Sequence, residues 1–96
     1  MKERQFVEGL MEGQHVNECY LVAHKDLRTQ QNGSWFVGVA LRDRTGEIGG
    51  VLWNNAVETA RLFEVKSVVR VTGQVKTYRG KLQITISTLT PAEEGE

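Results

Sequence analysis

Two neighbouring stretches decide the fold: Trp35-Phe36-Val37-Gly38-Val39-Ala40-Leu41-Arg42 and, one turn later, Ile48-Gly49-Gly50-Val51-Leu52-Trp53. Strict alternation sends Val37, Val39 and Leu41 to one face of the first stretch, with Ile48, Gly50 and Leu52 joining them from the second. The other face receives Phe36, Gly38, Ala40 and Arg42, then Gly49, Val51 and Trp53. A half-buried antiparallel sheet normally carries polar residues on its solvent side. Here that side carries two aromatics, small residues and an arginine, which marks it as a surface that meets something other than water. The turn Asp43-Arg44-Thr45-Gly46 joins the two strands, and Asp43 and Glu47 are read as stabilising it.

Upstream, Val16 to His24 reads as a first strand with apolar residues on both faces, which requires either burial on both sides or a bulge that switches faces. Lys25 to Thr29 continues it irregularly. Gln30-Gln31-Asn32-Gly33-Ser34 is a turn with an Asn-Gly hairpin signal. Downstream of Trp53, Asn55 and Glu58 have capping-box spacing. Ala56, Val57, Ala60 and Phe63 recur at helical intervals, so a helix of two to three turns is expected to run to about Phe63. Val69, Val71, Gly73 and Val75 alternate with polar residues, as do Leu82, Ile84 and Ile86, around a hairpin turn at Tyr78-Arg79-Gly80-Lys81. Pro91 ends the sheet, because it has no N–H to donate.

The expected order is β-β-β-α-β-β: an all-β domain with one short helix, folded as a five-stranded OB-fold barrel. Closure removes the edges that five antiparallel strands would expose. An open five-stranded α+β sheet is the alternative, and it would leave Phe36 and Trp53 on a flat face. The chain divides into a lead-in over 1–12, the barrel over 13–90, and an acidic tail or linker start over 91–96. In the lead-in, Phe6, Leu10 and Met11 are placed to form a helical turn covering one end of the barrel.

Ninety-six residues make one domain. No stretch of about 18 apolar residues spans a membrane. The first residues lack the apolar segment of a signal peptide. Cys19 is the only cysteine, so no internal disulfide forms, and no Cys/His cluster suggests zinc. These features point to a cytoplasmic protein without metal or cofactor. Net charge is zero, but over 13–90 ten Lys/Arg face six Asp/Glu, a net of +4. Between Lys66 and Lys81 lie five basic residues and no acid. A local positive field can therefore exist on a neutral chain.

The candidate binding residues follow from this layout. Phe36 and Trp53 offer stacking surfaces on adjacent strands, and stacking tolerates any base. Gly38 permits close approach to the backbone. Arg42 shares the outer face, Lys25 and Arg28 lead into the first loop, and Arg79 and Lys81 flank the last hairpin beside Tyr78. Together they place phosphate contacts on both sides of a stacking platform. His15 and His24 have no nucleophile or paired acid near them in sequence, and no catalytic constellation is found. The chain alone is therefore read as a binding module and not an enzyme.

Leu27-Arg28-Thr29, Asn32-Gly33, Leu41-Arg42-Asp43-Arg44-Thr45-Gly46-Glu47-Ile48 and Leu52-Trp53 together resemble the OB-type nucleic-acid-binding domain of the tRNA-anticodon-binding family. Val69 to Val75 and Tyr78-Arg79-Gly80-Lys81-Leu82-Gln83-Ile84 extend the resemblance over most of residues 6–90. Within that family the chain is most similar to the N-terminal OB domain of bacterial 3′-to-5′ exoribonucleases with a C-terminal HD hydrolase domain. The resemblance implies binding of single-stranded RNA or DNA and delivery to a catalytic HD domain that has no counterpart in this sequence. The outward Ala40, Gly49 and Val51 depart from the polar residues usual in the family. That departure supports the competing reading of a docking barrel for another protein, another domain or a second copy. RNA-versus-DNA choice, base preference and oligomeric state are not set by the sequence.

Overall fold

In the computed structural model, which describes residues 4–92, five strands and one short helix form: β1 (His15–Thr29), β2 (Trp35–Asp43), β3 (Gly46–Leu52), α1 (Ala56–Ala60), β4 (Val68–Tyr78) and β5 (Lys81–Pro91). The strands close into a barrel in the order β1-β2-β3-β5-β4. All neighbouring pairs are antiparallel except β3 and β5, which run parallel with Gly49 opposite Gln83 and Leu52 opposite Ile86.

The alternation in β2 and β3 is realised as expected. Val37, Val39, Leu41, Ile48 and Leu52 are buried, and each such side chain contributes on the order of 1.5–3 kcal/mol through removal from water. Val16, Tyr20, Val22, Val69, Val71, Val75, Ile84, Ile86 and Leu89 complete the interior, closed at one end by Ala56, Ala60 and Phe63.

β1 runs unbroken from His15 to Thr29, so the irregular continuation through residues 25–29 belongs to the strand. Its first half pairs with β4 and its second with β2, and a register shift between Val22 and His24 lies near the crossover. The extra residue, Ala23, is the face-switching bulge that residues apolar on both sides demand. A second shift, between Thr72 and Gly73, leaves Ser87 as the extra residue of β5 and lets Ile86 and Leu89 both point inward. At the other end of β5 the inward parity of Leu82 is not realised. The hairpin projects past the barrel there, and Leu82 stays exposed.

The helix is shorter than expected. It covers Ala56–Ala60 alone, and its N-cap residue Asn55 adopts a left-handed conformation without a side-chain cap bond. That geometry does not form the expected capping box, and Phe63 reaches the core from the turn beyond the helix.

The lead-in forms a 3-10 turn at Val7–Gly9. Leu10 is buried, whereas Met11 is exposed. Carboxylates hold this segment in place. Asp43 accepts from the Val7 N–H at 2.9 Å and from the Thr45 N–H and hydroxyl at 2.8 and 2.6 Å. Glu18 accepts from the Gln5 N–H at 3.0 Å and from Arg4 at 3.1 Å. Partial burial opposes ionisation of both groups. The hydrogen bonds, joined at Glu18 by the Arg4 and Arg70 charges, outweigh it and hold both carboxyls below their ordinary range. Asp43 thus stabilises its turn and also clips the lead-in to it.

Candidate nucleic-acid interface

Residues opposite one another in paired strands share a face, so the register fixes the outer surface. One row runs from Arg28 to Phe36, the next from Asp26 through Gly38 and Val51 to Thr85, and a third from His24 through Ala40 and Gly49 to Gln83. Lys76 lies opposite Gln83, and Tyr78 opposite Lys81. This surface extends about 13 Å along β2 between Phe36 and Ala40, and about 10 Å across from β2 to β5.

At one end Phe36 and Trp53 form a pair. Their ring centroids lie 4.8 Å apart with an interplanar angle of 37°, and Trp53 remains 49% exposed. The β1–β2 loop and the exposed Arg28 stand beside them. At the other end, the two-residue β4–β5 turn places Arg79 and Gly80 at positive φ, as a tight hairpin requires. Tyr78 is exposed there, with the Arg79 guanidinium 5.3 Å from its ring centre. Between the two ends the floor is low. A Cβ at Gly49 would meet nothing within 4 Å, and one at Gly38 would only touch the Asp26 carbonyl oxygen at 4.0 Å. Neither glycine is held by the close approach of a neighbour, in contrast to Gly73, whose Cβ would lie 2.3 Å from the Thr85 carbonyl oxygen.

The cations divide into two groups. Arg42 is ion-paired with Glu47 at 2.7 Å, and Arg28 with Asp26. Both pairs are exposed and therefore weak, so a phosphate can compete for either guanidinium. Among the described residues Lys76, Arg79 and Lys81 have no carboxylate partner. The free positive charge of this face thus concentrates at the β4–β5 hairpin.

Lys25 does not join this set. Sequence alone places it among the phosphate contacts, but its register partner is the inward Val39. Its ammonium donates to the carbonyl oxygens of Ala60 and Phe63 at 2.5 and 2.7 Å, just past the end of α1, and lies 4.7 Å from the Phe63 ring centre. A cation near a helix C-terminus satisfies carbonyls that lack intrahelical donors. Lys25→Met is expected to destabilise the domain by about 1–2 kcal/mol while leaving oligonucleotide affinity within about twofold. Urea unfolding and an anisotropy titration on the same sample check both halves.

Gln83 and Thr85 join the outer face without having been singled out by sequence. Their neighbours on it come from β3 through the parallel β3–β5 pairing, which links residues more than thirty positions apart and leaves no local signal. Among the described residues, no group of three or more His, Cys, Asp or Glu could hold a metal ion, and no helix is long and apolar enough to cross a membrane.

A family described as the OB-fold nucleic acid binding domain matches residues 22–92. The chain is 32% identical over 84 residues to the 3′-5′ exoribonuclease YhaM of Geobacillus sp. (strain WCH70), covering 88% of this chain and 26% of that protein. It thus spans about a quarter of the length of the curated relatives it matches. The second OB-fold domain of replication protein A from Methanococcus maripaludis superposes with a TM-score of 0.75 at 21% identity, covering 98% of this chain and 99% of that one. A chain of a replication protein A heterotrimer bound to single-stranded DNA gives a TM-score of 0.64 at 20% identity, over 95% of this chain and 66% of that one. The barrel closure, the helix between β3 and β4, and the sequence match agree, and this chain belongs to the family of OB-fold nucleic-acid-binding domains.

Proposed function

We propose that the domain binds single-stranded nucleic acid across the outer face of β2 and β3, from the Phe36–Trp53 pair to the β4–β5 hairpin. The observation that carries this reading is an aromatic pair, Trp53 exposed and Phe36 half-buried, beside an open glycine floor. Such a surface stacks bases and lets the backbone lie close. Phe36 and Trp53 stack, Gly38 opens the floor, and Tyr78 offers a second ring. Arg28, Arg42, Arg79 and Lys81 meet phosphates.

The resemblance to YhaM supports a further step: the domain captures the substrate of a longer cytoplasmic 3′-to-5′ exoribonuclease, whose chemistry resides in an HD hydrolase domain outside these residues. A His-Asp pair encoded downstream of Glu96 is expected in the parent gene. Its absence overturns that parentage and leaves the binding role intact.

Titration of a fluorescent single-stranded oligonucleotide over a range of salt concentrations tests the binding role. The free cations Lys76, Arg79 and Lys81 set a slope of log K against log salt of about −2, at roughly −0.7 per neutralised phosphate, and Arg28 and Arg42 steepen it towards about −3.5 as they give up Asp26 and Glu47. Absence of binding at low salt overturns the proposal. A slope near zero removes the hairpin cations from the interface.

A further inference from the structure

The hollow beside the β4–β5 hairpin is lined by Gly49, Tyr78, Arg79, Lys81, Leu82 and Gln83, and has a volume of about 360 Å³. Its parts differ in chemistry. Tyr78 supplies an exposed ring, Gly49 an open floor, and Arg79 and Lys81 the charge. Gln83 supplies an amide, which holds a donor and an acceptor side by side. It is half-buried, its strand is paired on both sides, and its amide has no hydrogen-bond partner among the described residues. The backbone beneath that amide is therefore fixed, while its donor and acceptor remain open towards the hollow.

Stacking and phosphate contacts do not distinguish one base from another, whereas an amide does. A glutamine carbonyl accepts from N6 while its NH₂ donates to N7, a pair of groups that adenine alone presents on that edge, cytosine offering an amine beside a ring nitrogen only on its pairing edge. Single-stranded bases expose these edges once they are unstacked. Resting on the proposed single-strand binding, we infer that this hollow is an adenine-selective base subsite, in which Tyr78 stacks the base and Gln83 reads its edge.

Anisotropy titrations with labelled oligoadenylate, oligocytidylate and oligouridylate of equal length test this on the 96-residue chain. Wild type is expected to bind the adenylate at least about threefold more tightly than the other two, a modest share of what one bidentate amide–base pair supplies. Gln83→Leu keeps the side chain's bulk and removes its polar atoms. It should bring the three affinities together while leaving that for oligouridylate unchanged. Gln83→Glu keeps an acceptor and loses the donor, and serves if the leucine variant fails to fold. It too should lose the adenylate preference. Equal wild-type affinities overturn the inference. So does a preference that survives both substitutions, because stacking alone then explains it. Binding to none of the three overturns the proposed function itself, and the subsite with it.

Discussion

Gly73→Ala is expected to destabilise the barrel by about 3 kcal/mol, near the upper end for a single added methyl group in a packed interior. The added Cβ would lie 2.3 Å from the Thr85 carbonyl oxygen and 3.0 Å from the Ile86 Cα. Both obstacles are backbone, so no rotamer change relieves the clash. Nor can β5 retreat, because Thr85 and Ile86 are also paired with Val51 and Leu52 of β3. Gly73 sits at the register shift where β4 and β5 draw together, and the close approach is part of how the barrel closes. Gly49→Ala is the control. Its Cβ enters open space, and its stability should stay within about 0.5 kcal/mol of wild type. Urea unfolding of the two variants decides the matter. A Gly73→Ala domain as stable as wild type would show that β4 and β5 do not meet in this register.

Parity alone separates the two glycines, Gly49 outward and Gly73 inward, but the closeness of β5 to Gly73 depends on a distant strand. What a strand shows by itself was legible. Val37, Val39 and Leu41 are inward because period-two alternation has a single solution when one face is apolar. The Arg79-Gly80 turn forms where a tight hairpin needs positive φ. What depends on a distant partner was not legible. The parallel β3–β5 pairing brings Gln83 beside Gly49, and no feature of residues 81–86 announces it. Lys25 is a lysine in a polar stretch, and only the end of α1 packed against β1 makes its ammonium structural.

The site was legible to the same degree. Phe36 and Trp53 were recognisable as outward aromatics, since they break the polar pattern of their face. The charges around them were not. Arg28 and Arg42 read as free cations in sequence, and the fold sets Asp26 and Glu47 beside them. The free positive charge is thereby displaced to the opposite end of the surface from the aromatic pair. A bound strand then meets stacking at the Trp53 end and charge at the Tyr78 end. Its affinity should depend on salt chiefly through the hairpin, and on ring substitutions chiefly through β2 and β3.

Phe36→Ala and Trp53→Ala separate these contributions. Stacking on an aromatic side chain contributes about 1–3 kcal/mol per base, so each single substitution should weaken oligonucleotide binding about tenfold. The rings touch, with centroids 4.8 Å apart, and residues in contact are not independent. Each ring limits the tilt of the other, so losing one already disorders the platform that remains. The double variant should therefore bind about 30-fold more weakly than wild type, short of the roughly 100-fold that independent sites would give. Its salt slope should be unchanged, because no phosphate contact has been removed. A double variant that binds within about twofold of wild type would place the nucleic acid off this face. Light scattering across a concentration series then separates the remaining possibilities. A second copy seated on the two rings would make the wild-type mass rise with concentration while the double variant stays monomeric, since the apolar surface that drives such contacts would be gone. A monomeric wild type together with weakened binding leaves base stacking as the role of the pair.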